Sequence, residues 1–280
     1  MTPQDSIWDI LFTKNISERW RFVTGDAAYW IYLALSIAFV IAMIWLARHK
    51  RRRGGPEAGE TFVRHLSTAT FVWWLLPVLL LIVTDTGQGW VQHIPLHLCS
   101  VSCFLLPIAV HTRNQTLLNI GYSLSIPGAI AAIVMPQETY KVLSYLSVHY
   151  FLFNLTHALI IATAAASVAI GLTKIEWKYY PRVVACGAGF MIAVYPINKL
   201  LDQNFMFVNW PEPGTILVLF ADIAGNPGYV GILILVAAAV IALFYVAAIG
   251  GRALFRRIMI GSHDIQRAVA VEKRRVSASS

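Results

Sequence analysis

Long apolar runs dominate the chain, and charged residues fall between them rather than within them. Seven stretches lack Asp, Glu, Lys and Arg: residues 27–47, 65–84, about 94–112, 114–137, 142–173, 183–198 and 223–251. A helix needs roughly 20 apolar residues to cross the hydrocarbon core. The pattern therefore predicts an all-α, polytopic membrane protein with about seven transmembrane helices. The runs are continuous rather than alternating, which excludes a transmembrane β-barrel. The stretch 142–173 exceeds one crossing, so one end must project or tilt. The stretch 183–198 is short and runs into the polar segment 199–204.

Basic residues orient the bundle. Arg48, Lys50–Arg53 and Arg64 flank the first connection, Arg113 the next, and Lys174, Lys178 and Arg182 the one after. Arg252, Arg256, Arg257, Arg267 and Lys273–Arg275 follow the last span. Seventeen of the 22 Lys and Arg fall on one side if seven helices alternate. The positive-inside rule then places the N-terminus outside and the C-terminus in the cytoplasm. Residues 1–26 contain Ile7, Trp8, Ile10, Leu11, Phe12, Ile16, Trp20 and Phe22 among charges, which suggests an amphipathic segment on the outer interface. Residues 27–251 form the transmembrane domain, and 252–280 a basic cytoplasmic tail suited to anionic lipid headgroups.

Composition narrows the class further. The 280 residues are 58% apolar and only 13% charged, against about 25% charged in soluble domains. Soluble enzymes, disordered chains and nucleic-acid binders are excluded, and the net charge of +8 is accounted for by topology without a nucleic-acid partner. Cys99, Cys103 and Cys186 give neither a disulfide framework nor a zinc pair. The N-terminus lacks the pattern of a cleavable signal peptide. The expected location is multi-pass in a bacterial cytoplasmic membrane. No protein partner can be read from the chain.

Polar side chains within apolar spans are functional candidates, with helix packing as the alternative. Cys99 lies 14 residues before Arg113, His157 lies 17 before Lys174, and Asn198 lies 16 after Arg182. At 1.5 Å per residue they sit about 21, 25 and 24 Å from the basic side. His149 is about 37 Å up, at the outer surface or beyond. The count favours His157 over His149 as partner for Cys99. A thiol is a poor nucleophile while protonated, and a nearby imidazole can take its proton. With no carboxylate at that depth, an amide such as Asn198 or Asn154 is the available orienting group. These ingredients suit acyl transfer through a thioester. Cys103, one turn from Cys99, is not separated from it by spacing alone. His93 and His97, at i and i+4, and the pair His149 and His157 are the alternative, a metal or haem site.

The run from His93 through Pro95, Leu96, His97 and Leu98 to Cys99 resembles the start of the third helix in YwaF-like integral membrane proteins, with their Pro-Leu-polar-Leu-Cys pattern. Leu155-Thr156-His157-Ala158 is similar to that family's Ser/Thr-His-small segment in the fifth helix. Asn204-Phe205-Met206-Phe207 resembles its Asn-Tyr-Met-Phe segment after the sixth. The resemblance covers roughly residues 90–209 and departs at Phe205, where Tyr is usual, and at His97, where Gln is usual. That family is in turn similar to a mammalian transmembrane group that moves fatty acyl chains onto lysophospholipids with a catalytic cysteine and histidine.

The resemblance implies Cys99 as nucleophile and His157 as base. The supporting residues expected beside them are Asn198, His97, Asn204 and His149, with Asn198 and His97 for orientation or oxyanion support. It also implies a phospholipid or lysophospholipid substrate and no cofactor or metal. The expected function is acyl transfer, or acyl hydrolysis, between lipids. The alternatives are a non-enzymatic lipid-binding or transport-associated membrane protein, and then a haem or metal protein.

Overall fold

The computed structural model describes residues 6–12, 16–84, 91, 94–136 and 143–278, the side chains of 77, 80–84 and 254–278 excepted. Helix dominates them. The elements are α1 (Ile7–Phe12), α2 (Ala27–Thr84), α3 (Leu98–Thr112), α4 (Gln115–Ile120), α5 (Ile126–Val134), α6 (Val148–Ala169), α7 (Tyr180–Leu201), α8 (Ile216–Ala224) and α9 (Tyr229–Ala278).

The first two expected spans are fused in α2, because the charged residues 48–64 continue the helix instead of forming a loop. The interruption is Gly55, at φ 78° and ψ −176°, a region essentially reserved for glycine. The chain folds back there. A Cβ on Gly59 would lie 2.7 Å from that of Arg51, and Ala47 packs in one cluster with Val63 and Leu66.

Asn114 caps α4 by accepting from the N–H groups of Thr116 and Leu117 at 3.0 and 3.2 Å. A π-helical turn, Gly121–Ser125, joins α4 to α5. Gly121 and Gly128 lie two turns apart and let α3 come close. A Cβ on them would stand 2.7 and 2.8 Å from the side chains of Leu106 and Leu98.

The over-long fifth stretch resolves into α6 plus wrapped ends. Leu143 accepts from the N–H of Phe22, and Arg21 bridges to Ser144. At the other end Gln115 holds the carbonyl of Leu172 and the N–H of Lys174. The last expected span begins later than the sequence suggests. Ile223 belongs to α8, which stops at Gly225 (φ 69°), and α9 starts at Tyr229 and continues through the basic residues.

The expectation of seven crossings also meets a difference. Among the described residues, five helices are long and apolar enough to cross a membrane. Two expected spans share α2, and α3 has only 15 residues because bends and Pro95 delay its start to Leu98. The expected interfacial segment is helical at Ile7–Phe12, with a 3-10 turn at Glu18–Trp20.

α6 is the central helix: 67% of its most apolar 18 residues are buried, against 11% for α2 and α9. Leu235 and Leu243 on α9 are 71% and 64% exposed. Apolar surface on that scale suits lipid rather than water. One end of the bundle gathers basic groups: Glu60 pairs with Arg64 and Arg113, and Arg252 donates to the carbonyl of Ile175 at 3.0 Å. The opposite end carries the junctions of Tyr29 with Val134 and Tyr32 with Tyr145. Together these features make the chain a multi-pass membrane protein.

Candidate functional site

A cavity of about 1340 Å³ opens among α3, α5, α6, α7 and α9. Cys99 and His157 both line it, from α3 and α6. Cys99 sits in the first turn of α3, on the same cavity wall as Ser102. Cys103 is fully buried away from that lining, and its thiol donates to the Cys99 carbonyl at 3.2 Å. The structure therefore separates two cysteines that spacing leaves equivalent. Cys99 faces the cavity, while Cys103 packs with Leu106, Ile126 and Ile160. Cys186 also lines the cavity, from α7.

His157 is buried, and its Nδ1 lies 2.7 Å from the carbonyl oxygen of Phe153, one turn earlier on α6. A carbonyl can only accept, so Nδ1 carries the hydrogen in this pairing. The neutral ring then presents Nε2 as a lone-pair acceptor. The orienting group is thus a backbone carbonyl rather than an amide side chain. The Phe153 ring also packs on the imidazole, with centroids 4.3 Å apart.

The side chain of Asn198 pairs with the backbone of Phe205. It is fully buried; its Nδ2 donates to the Phe205 carbonyl at 2.8 Å, and its Oδ1 accepts from the Phe205 N–H at 2.9 Å. It shapes the turn after α7 and does not itself line the cavity. Asn204 works in the same turn. Its Oδ1 accepts from the N–H groups of Asn209 and Trp210, and its Nδ2 donates to the Trp210 carbonyl. The turn is strained, since Met206 and Phe207 have φ of 60° and 55°. Tyr229 closes it by donating to the Phe207 carbonyl at 2.8 Å.

His97, the residue before α3, meets this turn from the other side. Its Nδ1 accepts from the Met206 N–H at 3.4 Å, and its ring packs edge-on against Phe205. The side chains of His97, Asn204 and residues 205–207 form one wall of the cavity. His149 lies buried at the start of α6 and lines the same cavity, two turns from His157. His93 lies outside the described residues. Among the described residues, no group of three or more His, Cys, Asp or Glu is placed to hold a metal ion.

The polar pair Ser102 and Ser125 also lines the cavity, linked at 2.7 Å. Ser125 closes the π-helical turn. Such turns recur at functional sites because the inserted residue redirects side chains, but a π turn leaves no mark in a hydropathy pattern.

A family model described as the TMEM164 family matches residues 23–245. Neither the curated proteins nor the solved structures contain a match to the chain.

Proposed function

The chain belongs to the TMEM164 family, a family of transmembrane proteins, and we propose that it is a membrane-embedded acyltransferase working through a cysteine thioester. Counting the two arms of α2 and the short α3 as separate crossings gives seven, with the N-terminus outside and the basic end in the cytoplasm. The membrane is read as a bacterial cytoplasmic membrane, and the basic end as a contact for anionic headgroups. One observation carries the reading. Cys99 and His157, on different helices, open onto one cavity, and the Phe153 carbonyl fixes the imidazole tautomer that can take a proton. The likeness of the segments around Cys99, His157 and Asn204 to YwaF-like proteins, and through them to lysophospholipid acyltransferases, supports it.

The chemistry follows from these groups. His157 Nε2 takes the thiol proton of Cys99, and the sulfur attacks the ester carbonyl of a donor phospholipid. The tetrahedral intermediate collapses, the C–O bond breaks, and the departing alkoxide takes the proton from His157 as a lysolipid. In the second half His157 takes a proton from the hydroxyl of an acceptor lysophospholipid. The oxygen attacks the thioester, and Cys99 leaves and recovers a proton from His157. Water in place of the acceptor would give hydrolysis. Asn198, Asn204 and His97 act here as positioning residues, holding the wall against which substrate lies.

The test is exchange of labelled lysophospholipid in reconstituted vesicles. Cys99→Ser should abolish it, His157→Ala should lower it by about 10²–10⁴-fold, and Cys103→Ser should retain it. Equal turnover in all three variants would remove the enzyme reading.

A further inference from the structure

The cavity is long and graded in polarity. On α7 it is lined by residues between Val184 and Met191, and just past the helix by Asp202; Val184 and Asp202 are 18 residues, or about 27 Å, apart at 1.5 Å per residue. The Asp202 end carries Gln203, Asn204, Glu212 and Thr215. The other end, among α3, α4, the π-helical turn, α7 and α9, is lined by Leu105, Ile120, Leu124, Val184, Gly187 and Ile241. None of those six side chains can hydrogen-bond. Water is poorly held by such walls, because it needs two to four polar partners. A hydrocarbon chain needs none.

We propose that this apolar branch seats one long, unbranched acyl chain of the bound lipid, and that Gly187 facing Leu124 sets the chain length accepted. The substrate assignment rests on the acyl-transfer reading, because the chain is measured from Cys99. Cys99 lies about 21 Å, and Val184 about 3 Å, from the level of the basic residues Arg113 and Arg182. A chain bound at the sulfur thus has about 18 Å of branch below it. A staggered chain advances about 1.25 Å per carbon for bonds near 1.5 Å. The branch therefore holds about 14 carbons beyond the carboxyl region, the size of a common long-chain fatty acyl group. Gly187 lies on this path, about 7.5 Å above the Arg182 level. A Cβ there would already stand 3.2 Å from Leu124 Cδ1, in the π-helical turn, so a larger side chain must turn into the cavity that both residues line and narrow the branch.

Two variants of opposite sign test the proposal in the full-length protein, in vesicles of phosphatidylcholine with saturated chains of about 10, 14 or 18 carbons. Gly187→Leu should lower the ratio of long- to short-chain transfer by tenfold or more, since each displaced methylene is worth roughly fourfold. Leu124→Ala should move the preference towards longer chains. A photoreactive long-chain phosphatidylcholine should label peptides containing Leu124, Val184 or Ile241, in Cys99→Ser as well as in the parent protein.

Labelling without transfer in the parent protein would retain the chain seat and defeat the acyl-transfer reading. Transfer whose chain preference is the same in both variants would defeat the seat and leave the chemistry standing. Labelling confined to the lipid-facing side of α2 and α9 would also defeat the seat.

Discussion

Asn198 and Phe205 clasp each other through two hydrogen bonds, one each way between the amide side chain and the backbone, and both residues are buried. The pair ties the end of α7 to a turn that forms one wall of the cavity. Replacing Asn198 with Ala leaves a buried N–H and a buried carbonyl unpaired, each costing about 1–3 kcal/mol. Asn198→Ala should therefore lower stability by about 2–6 kcal/mol, read as a lower midpoint of thermal unfolding in detergent. A midpoint equal to that of the parent would mean that the turn holds without the clasp.

Met206 sits at φ 60° and ψ 9° in that turn, a conformation that is uncommon for side-chain-bearing residues and most costly for β-branched ones. Met206→Gly should leave stability nearly unchanged, because relief of strain offsets the larger chain entropy of glycine. Met206→Val should destabilise by about 1–3 kcal/mol. Thermal unfolding of the two variants side by side checks the difference.

Gly55 reverses the direction of α2 in a backbone region that other residues avoid. Gly55→Ala should cost about 1–3 kcal/mol. Gly189 lies within α7, and a Cβ there meets nothing within 4 Å. Gly189→Ala should stabilise by about 0.5–1 kcal/mol. Opposite shifts in the unfolding midpoint are expected, and a stabilising Gly55→Ala would contradict the hinge.

Thr70 on α2 and Thr163 on α6 join hydroxyls at 2.9 Å within the bundle. Hydrogen bonds between membrane helices average about 0.6 kcal/mol and reach about 1.7. A double-mutant cycle with Thr70→Val and Thr163→Val should return a coupling energy in that range. A coupling of zero would show that the two helices are held by packing alone.

Much of the helical layout can be read in the sequence, because uninterrupted apolar runs leave the backbone no other way to satisfy its polar groups in lipid. The misread places share a cause. Residues 48–64 look like a loop because they are charged, yet charge does not break a helix. Only Gly55 does so, and one glycine carries little signal. The break at Gly225 is hidden for the same reason, within a run that hydropathy reads as continuous. At the candidate site, Cys99 and His157 stand out as polar groups at similar depth in apolar spans. The partner of His157 does not, because Phe153 contributes a backbone carbonyl and every residue has one. Asn198 stands out as an amide at the right depth, but depth alone could not separate a bond to His157 from one to Phe205. The strained turn at Met206 and Phe207 leaves no trace in the pattern, since neither residue type is a usual choice for positive φ.

The central claim is that Cys99 carries the acyl group, with His157 as its base. Its most direct test is the intact mass of the purified chain after incubation with long-chain phosphatidylcholine vesicles. The predicted result is one added acyl group that hydroxylamine removes, absent in Cys99→Ser and strongly slowed in His157→Ala. An adduct that persists in Cys99→Ser, or a parent protein that stays unmodified while acyl exchange proceeds, would contradict it.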